Sequence, residues 1–170
     1  FHHQGPAAVR YPRGEAFAEL PLVTPIELGK GQVLQTAIKP NAIAVLNFGA
    51  LLDKAIVVAE AYDATLVDMR FVKPLDEVLL HRIFKEFKTV ITVEDAAIQG
   101  GFGSAIAEFM VDHNYTSQLI RLGIPDEIVE HGEQKELYAL CGIDANGILA
   151  KIQANTTPVP AKNNPKALVS

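Results

Sequence analysis

Apolar positions along this chain gather in short runs whose period switches repeatedly between that of a strand and that of a helix. Residues 43–48 are apolar except for Asn47, which predicts a strand buried on both faces. From Gly49 onward the spacing changes, and Leu52, Ala55, Ile56 and Ala59 line one stripe of a predicted helix. Residues 65–71 predict the next strand. Pro74 marks a helix start, with Asp76 and Glu77 in the first turn, where the helix dipole favours acids. The apolar face of that helix reads as Val78, Leu79, Ile83 and Phe87. Residues 90–93 predict another buried strand. The turn Gly100-Gly101-Phe102-Gly103 then opens a helix with Ile106, Phe109, Met110 and His113 in line. Residues 118–122 form the last predicted strand, and two short helices follow over 133–140 and from 144 to near 153. A weak alternation over 33–36 predicts an edge strand. Strand and helix thus alternate at the spacing of βαβ units. The expected fold is α/β, a mainly parallel open sheet of about five strands with helices on both faces, preceded by an extended arm.

The arm carries its own chemistry. Gly5-Pro6-Ala7-Ala8-Val9-Arg10-Tyr11-Pro12-Arg13-Gly14 reads as a short strand ending in an arginine between proline and glycine. Ligands of open α/β sheets bind beyond the carboxyl ends of strands, and the planar fork of Arg13 suits a phosphate. No strand or helix precedes this segment to complete a pocket, so the chain reads as the back end of a larger enzyme. Residues 14–30, with Pro21, Pro25 and Gly29, lack periodicity and read as a linker. The compact domain is expected over 31–155, and 156–170, with three prolines, as a flexible tail.

Composition narrows the function. At 170 residues, 49% hydrophobic and 21% charged, the chain has enough apolar content for one domain core. A net charge of −5 with no basic run argues against a nucleic-acid partner. No apolar run approaches the ~20 residues of a membrane span, and no signal peptide is visible. A single cysteine, Cys141, cannot form an internal disulfide. It fits a reducing cytoplasm, where it reads as a small buried hydrophobe.

Several constellations admit both a chemical and a structural reading. Glu94-Asp95 before Gly100-Gly101-Phe102-Gly103-Ser104 has the form of an anion cradle at a helix N-terminus. Ile106 stands where the dinucleotide fingerprint needs a small residue, and no Walker lysine follows. A tight turn with close helix–sheet packing, or a close approach to another subunit, is the favoured reading. Asp68, Arg70 and Asp76 read as a strand-end ion pair and a helix cap rather than a catalytic set. His2, His3, His81, His113 and His131 show no metal-ligand spacing, and His113 reads as a core or interface histidine. No Ser-His-Asp set or nucleophile elbow is present. The residues themselves therefore define no catalytic, cofactor or metal site.

Read in order, the arm motif, Gly29-Lys30-Gly31, Leu46-Asn47-Phe48-Gly49 and Val67-Asp68-Met69-Arg70-Phe71-Val72-Lys73-Pro74-Leu75-Asp76 form a pattern. It continues through Thr92-Val93-Glu94-Asp95, the glycine turn and Gly123-Ile124-Pro125-Asp126. In this order the segments closely resemble the C-terminal portion of the bacterial 1-deoxy-D-xylulose-5-phosphate synthase family, of the transketolase type. The resemblance implies a parent that condenses pyruvate with glyceraldehyde 3-phosphate, losing carbon dioxide, on thiamine diphosphate and magnesium. It implies a homodimer whose product feeds isoprenoid, thiamine and pyridoxal synthesis. It places Arg13 on the arginine that holds the aldehyde's phosphate, and residues 1–13 at the end of the pyrimidine-binding domain. The segments that ligate the metal and diphosphate, and the glutamate that activates the cofactor, have no counterpart here. The isolated chain is accordingly expected to bind no cofactor and to be inactive, contributing dimer and structural contacts. Two alternatives stand beside this reading. One is the matching domain of another thiamine-diphosphate enzyme, a 2-oxoacid dehydrogenase beta subunit or a transketolase. The other is a non-catalytic interaction module.

Overall fold

The computed structural model describes residues 4–9, 25–39 and 43–155. Strands β1 (Gln32–Gln35), β2 (Ala44–Phe48), β3 (Thr65–Asp68), β4 (Thr89–Ala97) and β5 (Gln118–Ile124) form one sheet in the order β1-β3-β2-β4-β5. β2, β3, β4 and β5 pair in parallel, whereas β1 joins β3 antiparallel at one edge. Helices α1 (Leu52–Tyr62), α2 (Glu77–Glu86), α3 (Phe102–Asp112), α4 (Gln134–Leu140) and α5 (Ala145–Asn155) complete the domain.

Successive strand residues point to opposite faces, and each face has its own core. Val45, Leu66, Ile91, Val93 and Leu122 pack with Leu52, Ala55, Val58 and Ala59 of α1 and with Ile148 and Ile152 of α5. Ala44, Leu46, Val67 and Val90 pack on the other face with Leu79, Leu80, Ile83 and Phe84 of α2 and with Ile106 and Phe109 of α3. The predicted α/β architecture, a mainly parallel sheet between two helical layers, is the observed one.

Several local expectations are corrected. Residues 4–9 carry no strand and are exposed; the rest of that predicted strand lies outside the described residues. β3 ends at Asp68 because Arg70 adopts a left-handed φ of 57°, which extended backbone does not tolerate. β4 runs on to Ala97, past the predicted Val93. α2 starts at Glu77 and not at Pro74, with Asp76 as its cap: the carboxylate accepts from the Leu79 N–H at 3.1 Å. Leu79, Ile83 and Phe87 are buried as predicted, whereas Val78 is 74% exposed and Leu80 and Phe84 join the buried face. In α1 Leu52, Ala55 and Ala59 are buried as predicted, Val58 joins them, and Ile56 is half-buried. His113 is exposed rather than in the core, and lies against Phe109 with ring centroids 4.2 Å apart. Cys141 is half-buried against the α1/α5 core.

Candidate functional site

β2 feeds α1 on one face, while its neighbour β4 feeds α3 on the other. The carboxyl ends of these two strands therefore flank the topological switch point, where ligands of open α/β sheets settle. The side chains gathered at this end of the sheet are largely bound to one another.

Glu94, fully buried near the end of β4, directs its carboxylate at the start of α3. It accepts from the backbone N–H of Phe102 at 2.7 Å and of Gly103 at 2.8 Å. Burial pushes this carboxyl above its ordinary range, against the opposing pull of the Gly103 and Phe102 N–H groups and Arg121. Arg121 of β5 donates through Nη1 to Ser104 Oγ at 2.9 Å and to the Ile98 carbonyl at 3.3 Å. Ser104 Oγ also accepts from the Gly100 N–H at 2.9 Å. A Cβ on Gly101 would sit 2.2 Å from Glu94 Oε2 and 2.3 Å from the Ala97 carbonyl oxygen. The glycine turn is thus a close helix–sheet contact whose first amide donors are taken by the chain's own carboxylate. An anion cradle is not available there.

The second constellation follows its structural reading too. Arg70 Nε lies 3.5 Å from Asp68 Oδ2, and its Nη2 donates to Gln32 Oε1 on β1. Burial raises the Asp68 carboxyl, with Arg70 opposing. Asp76, besides capping α2, accepts from the Gly31 N–H at 3.2 Å and faces Lys30 Nζ at 3.7 Å. It thereby fastens the entry segment to α2.

A third group was not singled out in the sequence. Tyr138 of α4 donates to Asp95 Oδ2 at 2.9 Å and accepts from Gln134 Nε2 at 3.0 Å. Burial, reinforced by Asp95, pushes its phenol up to about 12. Lys54 pairs with Asp53 at 2.5 Å and lies 5.7 Å from the Tyr138 ring centroid. Asp53, Lys54, Gln134 and Tyr138 border a cavity of about 430 Å³ between α1 and α4. The glutamine lies one helical turn before the tyrosine, the spacing that lets side chains meet. The contact with Asp95 comes from tertiary packing alone.

Arg13 lies outside the described residues. Among the described residues no group of three His, Cys, Asp or Glu is placed to hold a metal. The donor chemistry does not fit magnesium diphosphate, since Asp68, Asp76, Glu94 and Asp95 are each engaged by a cation, amide or hydroxyl of this chain.

The profile of the transketolase C-terminal domain family matches residues 29–148, and the chain belongs to that family. A split-gene transketolase in an inactive β4 tetramer shares the fold, at a TM-score of 0.64 and 28% identity, over 76% of this chain and 42% of that one. Similarity in sequence is to 1-deoxy-D-xylulose-5-phosphate synthases. The chain is 46% identical to that of Cytophaga hutchinsonii over 159 residues, 89% of this chain and 24% of the relative. It is 44% identical to that of Thioalkalivibrio sulfidiphilus over 165 residues, 96% of this chain and 25% of the relative. These matches bear out the resemblance read from the motifs. The chain spans about a quarter of the length of these relatives.

Proposed function

We propose that this chain is the C-terminal domain of a 1-deoxy-D-xylulose-5-phosphate synthase. Such a parent condenses pyruvate with glyceraldehyde 3-phosphate, losing carbon dioxide, on thiamine diphosphate and magnesium, as a cytoplasmic homodimer. The observation that carries the reading is identity of 44–46% over nearly the whole chain to synthases of that name, against 28% to the transketolase neighbour. In this reading residues 1–13 end the preceding domain, 14–30 link the two, and Arg13 holds the phosphate of the aldehyde. The described body contributes packing and dimer contacts, and the cofactor sits in the remainder of the parent.

The test is a chimera in which this chain replaces the matching segment of the Cytophaga hutchinsonii synthase. Deoxyxylulose phosphate formation within about tenfold of the parent's is expected, the loss tolerated for a few imperfect interdomain contacts. The 170-residue chain alone should neither form product nor bind thiamine diphosphate in a calorimetric titration. A folded, dimeric chimera without turnover, or micromolar cofactor binding by the chain alone, overturns the reading.

A further inference from the structure

The two edges of the sheet are not alike. β1 is four residues long with a register irregularity between Val33 and Gln35, a form that discourages further pairing. β5 has seven residues, contains no proline, and among the described residues has β4 on one side only. The direction of its backbone groups follows from two hydrogen bonds. The Gln118 N–H donates to the Lys88 carbonyl at 2.7 Å, and the Ile124 carbonyl accepts from the Ile98 N–H at 2.9 Å. Gln118 and Ile124 therefore both direct their backbone toward β4. Because direction alternates along a strand, Leu119, Arg121 and Gly123 turn their N–H and C=O groups outward.

A groove of about 380 Å³ lies between the end of β5, at Arg121, Leu122 and Gly123, and α5, and is closed at one end by Ile98 and the turn between α4 and α5. The Leu122 side chain packs into the α1/α5 core, whereas the Arg121 guanidinium reaches Ser104 on the opposite face. Consecutive residues with opposed side chains share only their strand edge, so main chain lines the groove. On α5 the facing positions include Gly147, Ala150 and Ala154, whose small side chains leave room for another backbone. Arg121 and Lys151 are the charged residues of the lining, and no carboxylate accompanies them. Among the described residues Arg121 donates hydrogen bonds only through Nη1 while its charge also acts on Glu94, and its remaining N–H groups are left for a further carboxylate.

We infer that the β5 edge and α5 form a docking groove for an extended acidic peptide segment of a partner chain. The segment adds as a strand to β5 through Arg121 and Gly123, while Arg121 and Lys151 select its carboxylates. Main-chain pairing supplies affinity in such additions, and flanking side chains supply selectivity. This inference is independent of the parent's chemistry.

The probe is a fluorescein-labelled peptide alternating aspartate and valine, followed by anisotropy with the full chain. Two controls accompany it: the lysine–valine counterpart, and the acidic peptide N-methylated at alternate amides in both registers. Saturable binding of the acidic peptide alone is expected, weakening with salt. Lys151→Glu should weaken it about five- to tenfold, and Ala150→Trp should abolish it by filling the groove. Both positions are exposed on α5, and far-ultraviolet circular dichroism checks that each variant remains folded. Absence of binding, or equal binding of either control, overturns the inference. So does a chain that dimerises through this edge, detected as self-association that Ala150→Trp disperses, without peptide binding.

Discussion

Among the described residues, Tyr138 is the side chain whose ionisation is displaced far from its ordinary range. With its pKa raised from 10.0 to about 12, the stability linked to the neutral phenol is fully present below about pH 10. It is lost as pH rises toward 12. A tyrosinate absorbance step near 12 is expected, and it should be missing from Tyr138→Phe. That substitution also leaves the Asp95 carboxylate without its hydroxyl donor, at a cost of about 1–3 kcal/mol, readable in urea melts at neutral pH. A melting point unchanged by the substitution between pH 7 and 10 would contradict this. Arg13 belongs to the same scale. In the parent or chimera, Arg13→Ala should raise the KM for glyceraldehyde 3-phosphate about ten- to hundredfold and leave that for pyruvate nearly unchanged. Equal constants with a lowered melting point would assign it a structural ion pair. Single residues were unevenly legible. Asp76 as a helix cap followed from its place before an apolar period. The partner of Tyr138 did not, because Asp95 stands far away in sequence and only packing joins them.

At the scale of elements, glycines separate two costs. Gly101 precedes α3 with an ordinary φ of −84°, so alanine there is opposed only by crowding, from the Glu94 carboxylate and the Ala97 carbonyl. Gly49 has the reverse problem, a φ of +86° with nothing within 4 Å of a Cβ. Gly101→Ala should cost about 1–3 kcal/mol through overpacking, and Gly49→Ala about 1 kcal/mol through the left-handed backbone. Differential scanning calorimetry should accordingly find Gly101→Ala the less stable of the two, and the reverse order would refute the close-packing account. Periodicity located every helix of the body within a few residues, since a long apolar stripe survives small errors of phase. On α2 it placed Leu79, Ile83 and Phe87 correctly, missed Leu80 and Phe84, and put Val78 inside, which is 74% exposed. Leu80 and Phe84 form a second row beside Leu79 and Ile83, so the buried stripe is wider than one row and Val78 falls beyond it. β4 outran its prediction because Glu94 and Asp95 look like the end of an apolar run. Their charges are met by the α3 amides and by Tyr138.

For the whole molecule, alternation of strand and helix implied a parallel sheet but not the order of its strands. Which side each crossover takes is decided by how the helices pack, and that leaves no mark on the local pattern. The order β1-β3-β2-β4-β5 has a kinetic consequence. Ala44 pairs with Thr65 on one side, a nearby partner, but with Val90 on the other, which the chain reaches only after α1, β3 and α2. Closing that long loop loses entropy before the pairing repays it, and parallel pairing of this kind is slow. The docking of β4 on β2 should therefore set the rate of folding. Ile91 of β4 and Ile152 of α5 share one core and are both fully buried, so each change to valine should cost about 0.5–1.5 kcal/mol. In stopped-flow refolding Ile91→Val should slow folding, whereas Ile152→Val should act mainly by speeding unfolding. If both variants alter only the unfolding limb, β4 arrives after the barrier. The middle of the sheet, joined across a longer stretch of chain than either edge, is on this account where the time to fold is spent.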